Sequence, residues 1–132
     1  MELIRKGKYF DLLLSGYTIS KIIYDGFISL EFNMKDKTTL DFHGEFRLIK
    51  FNQSKMLHPN SKEAYLNFYD LYGEIIKEGL ADKYGNLYMV FENKTEIHVL
   101  DGPFENWHFT KHFGQTYERR INVHGGCGKT SF

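Results

Sequence analysis

Residues 16–48, GYTISKIIYDGFISLEFNMKDKTTLDFHGEFRL, decide the fold, because residues 73–109 repeat their order of signals as GEIIKEGLADKYGNLYMVFENKTEIHVLDGPFENWHF. Each copy opens on a glycine and then alternates apolar and polar residues on both sides of a tight polar turn. Each copy ends its second alternating run near a glycine, Gly44 or Gly102, followed two residues later by phenylalanine. Alternation with a period of two is typical of half-buried strands, so each copy is predicted to form a small antiparallel meander.

Residues 27–42 carry the clearest hairpin pattern, with apolar side chains on one face of both arms. Residues 17–24 also consist of β-formers, but their alternation is imperfect because Lys21 shares a face with Ile19 and Ile23. A β-bulge or an edge position in the sheet would resolve that conflict.

The segment between the two copies carries helix signals. Ser61 is a suitable N-cap, and Gly73 stands where a glycine would end the helix. Apolar and aromatic residues recur between them at spacings of three and four, namely Ala64, Tyr65, Phe68, Tyr69 and Tyr72. One helix at about residues 61–72 is therefore predicted to connect the two meanders.

The chain of 132 residues is predicted to form a single domain, residues 1–132, with pseudo-repeat halves at 8–51 and 73–109. Aromatic residues make up 17% of it, and large rings at strand positions suit the core of a sheet. Each meander has one apolar face that must be buried, so the two are expected to pack on each other. The predicted fold class is mainly β with one helix, as either a two-sheet sandwich or a strongly curved, partly open barrel.

The charge and the cysteine content limit which partners and which cellular compartment are expected. Basic and acidic side chains number 17 each, so no net field attracts nucleic acid or an anionic membrane, and neither partner is expected. Cys127 is the single cysteine and excludes an internal disulfide, and the first residues do not resemble a secretion signal. A reduced, cytoplasmic location is expected.

No reactive arrangement stands out among the polar residues. The tail Gly128-Lys129-Thr130 looks like the end of a phosphate-binding loop, but Val123 stands where that motif requires its first glycine. Cys127 and His124 are three residues apart, and on an extended segment such a pair points to opposite faces. The six histidines and 17 carboxylates lack the spacing of metal ligands or of a general acid and base. No catalytic residue, metal site or cofactor is predicted, and the chain is expected not to be an enzyme.

The turn at residues 101–107, DGPFENW, is the most distinctive short stretch. One interpretation is a recognition edge, since Trp107 stands beside Glu105 and tryptophan is enriched among binding hot spots. The other is a core tryptophan, favoured because Phe109 follows at the period of a buried face. As contacts for a protein partner we name Glu105 and Trp107 first, and then Asp82 and Tyr84.

Several of these signals resemble those of small uncharacterised bacterial β-rich domains, some of which are encoded beside polymorphic toxins as immunity proteins. The resembling features are the pattern Leu87-x-Met89-x-Phe91-Glu92-Asn93-Lys94-x-x-Ile97, the turn Gly102-Pro103-Phe104-Glu105-Asn106-Trp107, and Gly125-Gly126 near the C-terminus. The resemblance covers most of residues 16–132 and implies a non-enzymatic protein that binds and blocks a cognate toxin domain. The final residues 129–132 depart from the pattern.

Two alternatives remain open at this point. The first is a small-molecule-binding barrel or an enzyme, with its site in the interior of the barrel. The second is self-assembly, in which an exposed edge at residues 17–24 pairs across a homodimer. An open interior lined by tyrosine and histidine would favour the first, and a filled interior with an exposed acidic or aromatic edge would favour protein binding.

Overall fold

The computed structural model describes residues 4–32, 37–102, 105–112 and 120–131, and it is a β-sandwich with one short helix. The strands are β1 (Ile4–Lys6), β2 (Tyr9–Asp11), β3 (Ile19–Tyr24), β4 (Ile28–Phe32), β5 (Lys37–Phe42), β6 (Phe46–Lys50), β7 (Gln53–Leu57), β8 (Ile76–Asp82), β9 (Leu87–Phe91), β10 (Glu96–Val99), β11 (Glu105–His112), β12 (Arg120–Gly126) and β13 (Lys129–Ser131), and the helix is α1 (Lys62–Tyr69). No described helix has the length and apolar character needed to cross a membrane.

All strands pair antiparallel in two sheets. Sheet I has the order β1-β2-β8-β9-β10-β6-β7, and sheet II has the order β13-β12-β11-β5-β4-β3. The two sheets do not close into a barrel, so the sandwich form of the predicted fold is confirmed.

The two halves of the chain exchange strands between the sheets. The meander β3-β4-β5 lies in sheet II, but β6 and β7 cross to sheet I, where β6 pairs with β10. The second half does the reverse: β8, β9 and β10 lie in sheet I, and β11 crosses to pair with β5. The repeated unit in the structure is therefore five strands long, β3–β7 and β8–β12, and it extends beyond the predicted halves 8–51 and 73–109.

Asn106 lies where the two crossing segments meet. Its main-chain carbonyl accepts hydrogen bonds from the His43 amide at 2.8 Å and the Gly44 amide at 3.1 Å. Its side-chain Nδ2 donates to the Leu100 carbonyl at 2.9 Å. A Cβ atom at Gly44 or at Gly102 would come within 2.5 Å of the Asn106 amide group, so both glycines leave space for one side chain.

We expect Gly44→Ala and Gly102→Ala each to lower the free energy of unfolding by about 1–3 kcal/mol, because overpacking at the crossing displaces Asn106. Urea denaturation measures the change. Glu45→Ala is the matched control, since Glu45 is an exposed neighbour in the same link. In an Asn106→Ala background the cost of Gly44→Ala should shrink, and an unchanged cost would contradict this account of the clash.

Side chains fill the space between the sheets. The inward residues of the paired strands include Leu30, Leu40, Met89, Ile97 and Phe109, each with 0% exposure. They alternate with polar or half-buried residues on the outer faces, as expected for sandwich strands.

The first strand of each half carries a bulge at the equivalent position. Ser20 is the extra residue of β3 against β4, and Lys77 is the extra residue of β8 against β9. Strand β3 is also the last strand of sheet II in the described structure. The imperfect alternation around Lys21 is thus explained by both of the predicted features, a β-bulge and an edge position in the sheet.

The helix begins as predicted but ends earlier. Ser61 is the N-cap, and its hydroxyl accepts a hydrogen bond from the Ala64 amide at 3.2 Å. The helix ends at Tyr69 rather than at residue 72, and a turn leads to Gly73, which has a positive φ of 80°. Its inward residue Phe68 packs between the crossing strands.

Candidate binding surface

Trp107, the first predicted contact together with Glu105, is a core residue. Its side chain is 0% exposed, and its Nε1 donates a hydrogen bond to the Gly85 carbonyl at 2.9 Å. A Cβ atom at Gly125 on the paired strand would overlap the indole ring, so the ring lies directly on that backbone. The core interpretation of Trp107 is confirmed, and its prediction as a surface contact is corrected.

Asp82 holds the β8–β9 turn together. It is only 8% exposed, and its carboxylate accepts hydrogen bonds from the Tyr84 amide at 2.9 Å and from the Asn86 amide at 3.1 Å and Nδ2 at 2.9 Å. Burial, together with the charge of Asp82, raises the pKa of Tyr88 above its usual value. The Asp82 carboxylate is thus taken up by the fold rather than presented to a partner, which corrects its prediction as a contact.

The glycine-rich tail also has a structural role. Thr130 Oγ1 accepts a hydrogen bond from the Gly85 amide at 3.0 Å and donates to the Asp82 carbonyl. Gly128 has a positive φ of 81° in the turn between β12 and β13. The residues that looked like a phosphate-binding loop therefore dock a terminal strand against the β8–β9 turn.

Tyr84 and Glu105 remain exposed, as a contact requires. Tyr84 is 58% exposed at the tip of the β8–β9 turn. Glu105 lies on β11 with one carboxylate oxygen 3.7 Å from His108 Nδ1 and the other 3.7 Å from His124 Nδ1. Within the described residues, no group of three or more His, Cys, Asp or Glu side chains is placed to hold a metal ion.

A second surface, which the sequence did not predict, concentrates the exposed apolar side chains. We call it the tyrosine surface; it is formed by edge strand β3, helix α1 and the turn after the helix, through Tyr24, Tyr65, Leu66, Tyr69, Tyr72 and Ile75. Among the described residues ten large hydrophobic side chains are exposed, and five of them belong to this surface. Contiguous exposed apolar side chains mark interaction sites more often than scattered ones do.

The four tyrosine rings contact one another in a row. The ring centroids of Tyr24 and Tyr65 are 5.5 Å apart, those of Tyr65 and Tyr69 are 6.4 Å apart, and those of Tyr69 and Tyr72 are 5.4 Å apart. These separations fall in the range of favourable tilted and edge-to-face aromatic pairs. The row therefore joins the helix to the edge strand as one surface.

Two hydroxyl groups fix the ends of that row. The Tyr24 hydroxyl donates to the Asn60 carbonyl at 2.8 Å, and the Tyr72 hydroxyl accepts from the Ile22 amide at 2.9 Å. Tyr69 lies between them, 57% exposed, with ring contacts on both sides. A surface held in this way loses little side-chain entropy when a partner binds.

An open groove lies elsewhere, between the tips of the β6–β7 and β9–β10 hairpins. It has a volume of about 890 Å³, and its lining includes Phe51, Lys77 and Glu92. Phe51 is 87% exposed and has a positive φ of 53°, which is unusual for a bulky residue. The groove mixes acidic and basic side chains and lies at the hairpin tips rather than between the sheets.

Lys111 is a buried lysine whose position was not predicted from the sequence. Strand β11 continues to His112 and places Lys111 on the inner side with 4% exposure. Its Nζ donates to the Tyr17 hydroxyl and to the Leu13 carbonyl, and it lies 4.6 Å from the centroid of the Tyr17 ring. The period of two that runs from Trp107 through Phe109 to Lys111 is the sequence signal for this inward position.

Comparison with known proteins identifies one family. Residues 10–117 match the model of a family described as a family of unknown function, DUF6188. No curated protein and no solved structure matches the chain.

Proposed function

We propose that this chain, which belongs to the DUF6188 family, is a non-enzymatic protein-binding domain that contacts its partner through the tyrosine surface. The observation that carries the proposal is the row of four contacting tyrosine rings, three of them exposed, on α1, its following turn and β3. Tyrosine is among the residues that dominate binding energy at protein interfaces, because it combines a large apolar area with a polar tip.

The partner proposed is a cognate bacterial toxin domain. The resemblance to domains encoded at polymorphic-toxin loci supports this choice, because an immunity protein acts by occlusion. Occlusion requires a shaped contact surface and no reactive side chain, and the tyrosine surface offers such a contact. The balanced charge of the chain gives no reason to prefer nucleic acid or an anionic lipid as the partner.

The alternative function, a small-molecule binder or an enzyme with its site in a barrel interior, requires open space between the sheets. The sheets form a sandwich whose inner faces are filled by buried side chains, including Leu30, Leu40, Met89 and Trp107. This packing favours the outer surface over the interior as the place of binding.

We expect Tyr69→Ser to weaken partner binding at least tenfold, which corresponds to about 1.4 kcal/mol. Tyr84→Ser is the matched control, since Tyr84 is 58% exposed and Tyr69 57%, and Tyr84 belongs to the surface predicted from sequence. The probes are the protein products of the neighbouring genes, measured by calorimetry and by rescue of growth when each is co-expressed with this chain.

The outcomes separate three possibilities. Loss of binding and of growth rescue in Tyr69→Ser but not in Tyr84→Ser supports the tyrosine surface. The reverse pattern places the contact at the turn that carries Tyr84 and at nearby Glu105, and so overturns the tyrosine surface as the contact. If no neighbouring gene product binds and none is detoxified, the immunity proposal is rejected.

A further inference from the structure

We infer that the outer edge of β3, on the side away from β4, pairs antiparallel with β3 of a second copy of this chain, centred on Ile23. This inference goes beyond the proposed binding of a toxin. It rests on three independent features of the strand: its structural twin in the other half of the molecule, the direction of its backbone groups, and the order of its exposed side chains.

The equivalent strand in the other half already accepts an added strand at the same position. Strand β8 matches β3 in its place within the repeat and in its bulge, at Lys77 and Ser20 respectively. The edge of β8 is covered by β2, with Phe10 opposite Ala81 and Leu12 donating to the Gly79 carbonyl at 2.9 Å. The corresponding positions of β3, around residues 22–25, have no strand beside them in the described structure.

The backbone of β3 presents hydrogen-bonding groups toward this edge. The Asp25 amide donates to the Phe27 carbonyl at 3.0 Å, so the backbone N–H and C=O groups of Asp25 point toward β4. Because these directions alternate along a strand, the backbone groups of Tyr24 and Ile22 point away from β4. The hydrogen bond of the Ile22 amide supports this direction, because the amide donates to the Tyr72 hydroxyl and not to a carbonyl of β4. In a pairing centred on Ile23, Ile22 lies opposite Tyr24 of the second copy, and the two residues exchange both main-chain hydrogen bonds.

In the single chain the Tyr72 hydroxyl accepts the hydrogen bond of the Ile22 amide. Pairing therefore replaces this hydrogen bond with one to a carbonyl of the second copy, and it releases the Tyr72 end of the tyrosine surface. The edge is thus satisfied by an exchangeable partner while the chain is alone, which limits the exposure of unpaired backbone groups.

The exposed side chains of this edge are self-complementary. Lys21, Ile23 and Asp25 follow one another on the same face, and all three are exposed. In antiparallel pairing about Ile23, Lys21 of each copy lies opposite Asp25 of the other, and the two Ile23 side chains meet at the centre. Opposite charges directly across a strand pair are favourable and like charges are unfavourable. The same patch therefore serves both copies, as a two-fold interface requires.

Two charge reversals test the register. Lys21→Asp places acids opposite each other in the homodimer, and Asp25→Lys places bases opposite each other, so each variant alone should associate at least tenfold more weakly than the wild type. When the two variants are mixed, each acid again faces a base, and the dimer should return. Sedimentation equilibrium on the wild type, each variant and the equimolar mixture measures the dissociation constants.

Controls separate this result from unfolding and from the proposed function. Both residues are exposed, and thermal unfolding followed by circular dichroism should show folded variants. Tyr69→Ser should dimerise like the wild type, so a loss of toxin binding and a loss of dimerisation are read independently. A wild type that sediments as a monomer at every concentration overturns the inference, and so does a mixture that fails to recover the dimer.

Discussion

Trp107→Ala is expected to lower the free energy of unfolding by about 3–5 kcal/mol, because it removes the largest fully buried side chain of the described core. The indole fills the space between the β8–β9 turn and Gly125 on β12, and it supplies a hydrogen bond to the Gly85 carbonyl. Its loss leaves a cavity and an unsatisfied acceptor at the same corner. Urea denaturation, followed by circular dichroism, measures the change.

Two further variants divide that effect into its parts. Trp107→Phe keeps much of the ring volume but loses the Nε1 donor, so it should cost less than Trp107→Ala. Gly125→Ala should be destabilising alone, because its Cβ overlaps the indole, and much less so in the Trp107→Ala background. If Trp107→Ala unfolds at the urea concentration of the wild type, the assignment of this side chain to the core is wrong.

The sequence predicted the strands and the helix well where one face had to be buried. The alternation at residues 27–42 appears as β4 and β5. Ser61 was identified as the N-cap because its hydroxyl can accept a hydrogen bond from a free amide of the first turn, and it accepts one from Ala64.

The exchange of strands between the sheets was not predictable from the same pattern. Alternation indicates that β6 and β11 each have a buried face, but it does not indicate which of the two sheets contains the strand that pairs with each of them. The links at Gly44 and Gly102 permit a return to the same sheet as well as a crossing. The choice depends on packing around Asn106, which joins residues that are about sixty positions apart in the chain.

The candidate surface was harder to predict than the fold, because the number of aromatic residues in a segment does not show which of their side chains are exposed. Trp107 was named as a contact and is fully buried, whereas Tyr69 was read as one position of a helical stripe and is 57% exposed. The helix buries only Ala64 and Phe68, so the remaining rings of that stripe face outward. Each of those rings carries a hydroxyl group, whereas Phe68 has none. This difference is the sequence signal for which rings are exposed, because a tyrosine hydroxyl favours contact with solvent.

Phe68→Ala is expected to lower the free energy of unfolding by about 3–5 kcal/mol, because it removes the side chain that docks α1 on the sandwich. Phe68 is 1% exposed, and its ring centroid lies 5.1 Å from that of Phe42 and 5.2 Å from that of Phe46. Phe42 ends β5 in sheet II and Phe46 begins β6 in sheet I, so the helix packs on the strand crossing itself. Urea denaturation measures the loss.

Because α1 carries Tyr65, Leu66 and Tyr69 of the tyrosine surface, the neighbouring positions Phe68 and Tyr69 should separate stability from binding. Phe68→Leu keeps an apolar side chain at the dock and should cost less than Phe68→Ala. Tyr69→Ser should leave the free energy of unfolding within about 0.5 kcal/mol of the wild type, as is usual for exposed positions, while it weakens partner binding. Equal losses of stability in Phe68→Ala and Tyr69→Ser would show that the outward ring supports the fold, and would remove the reason for assigning it to a partner.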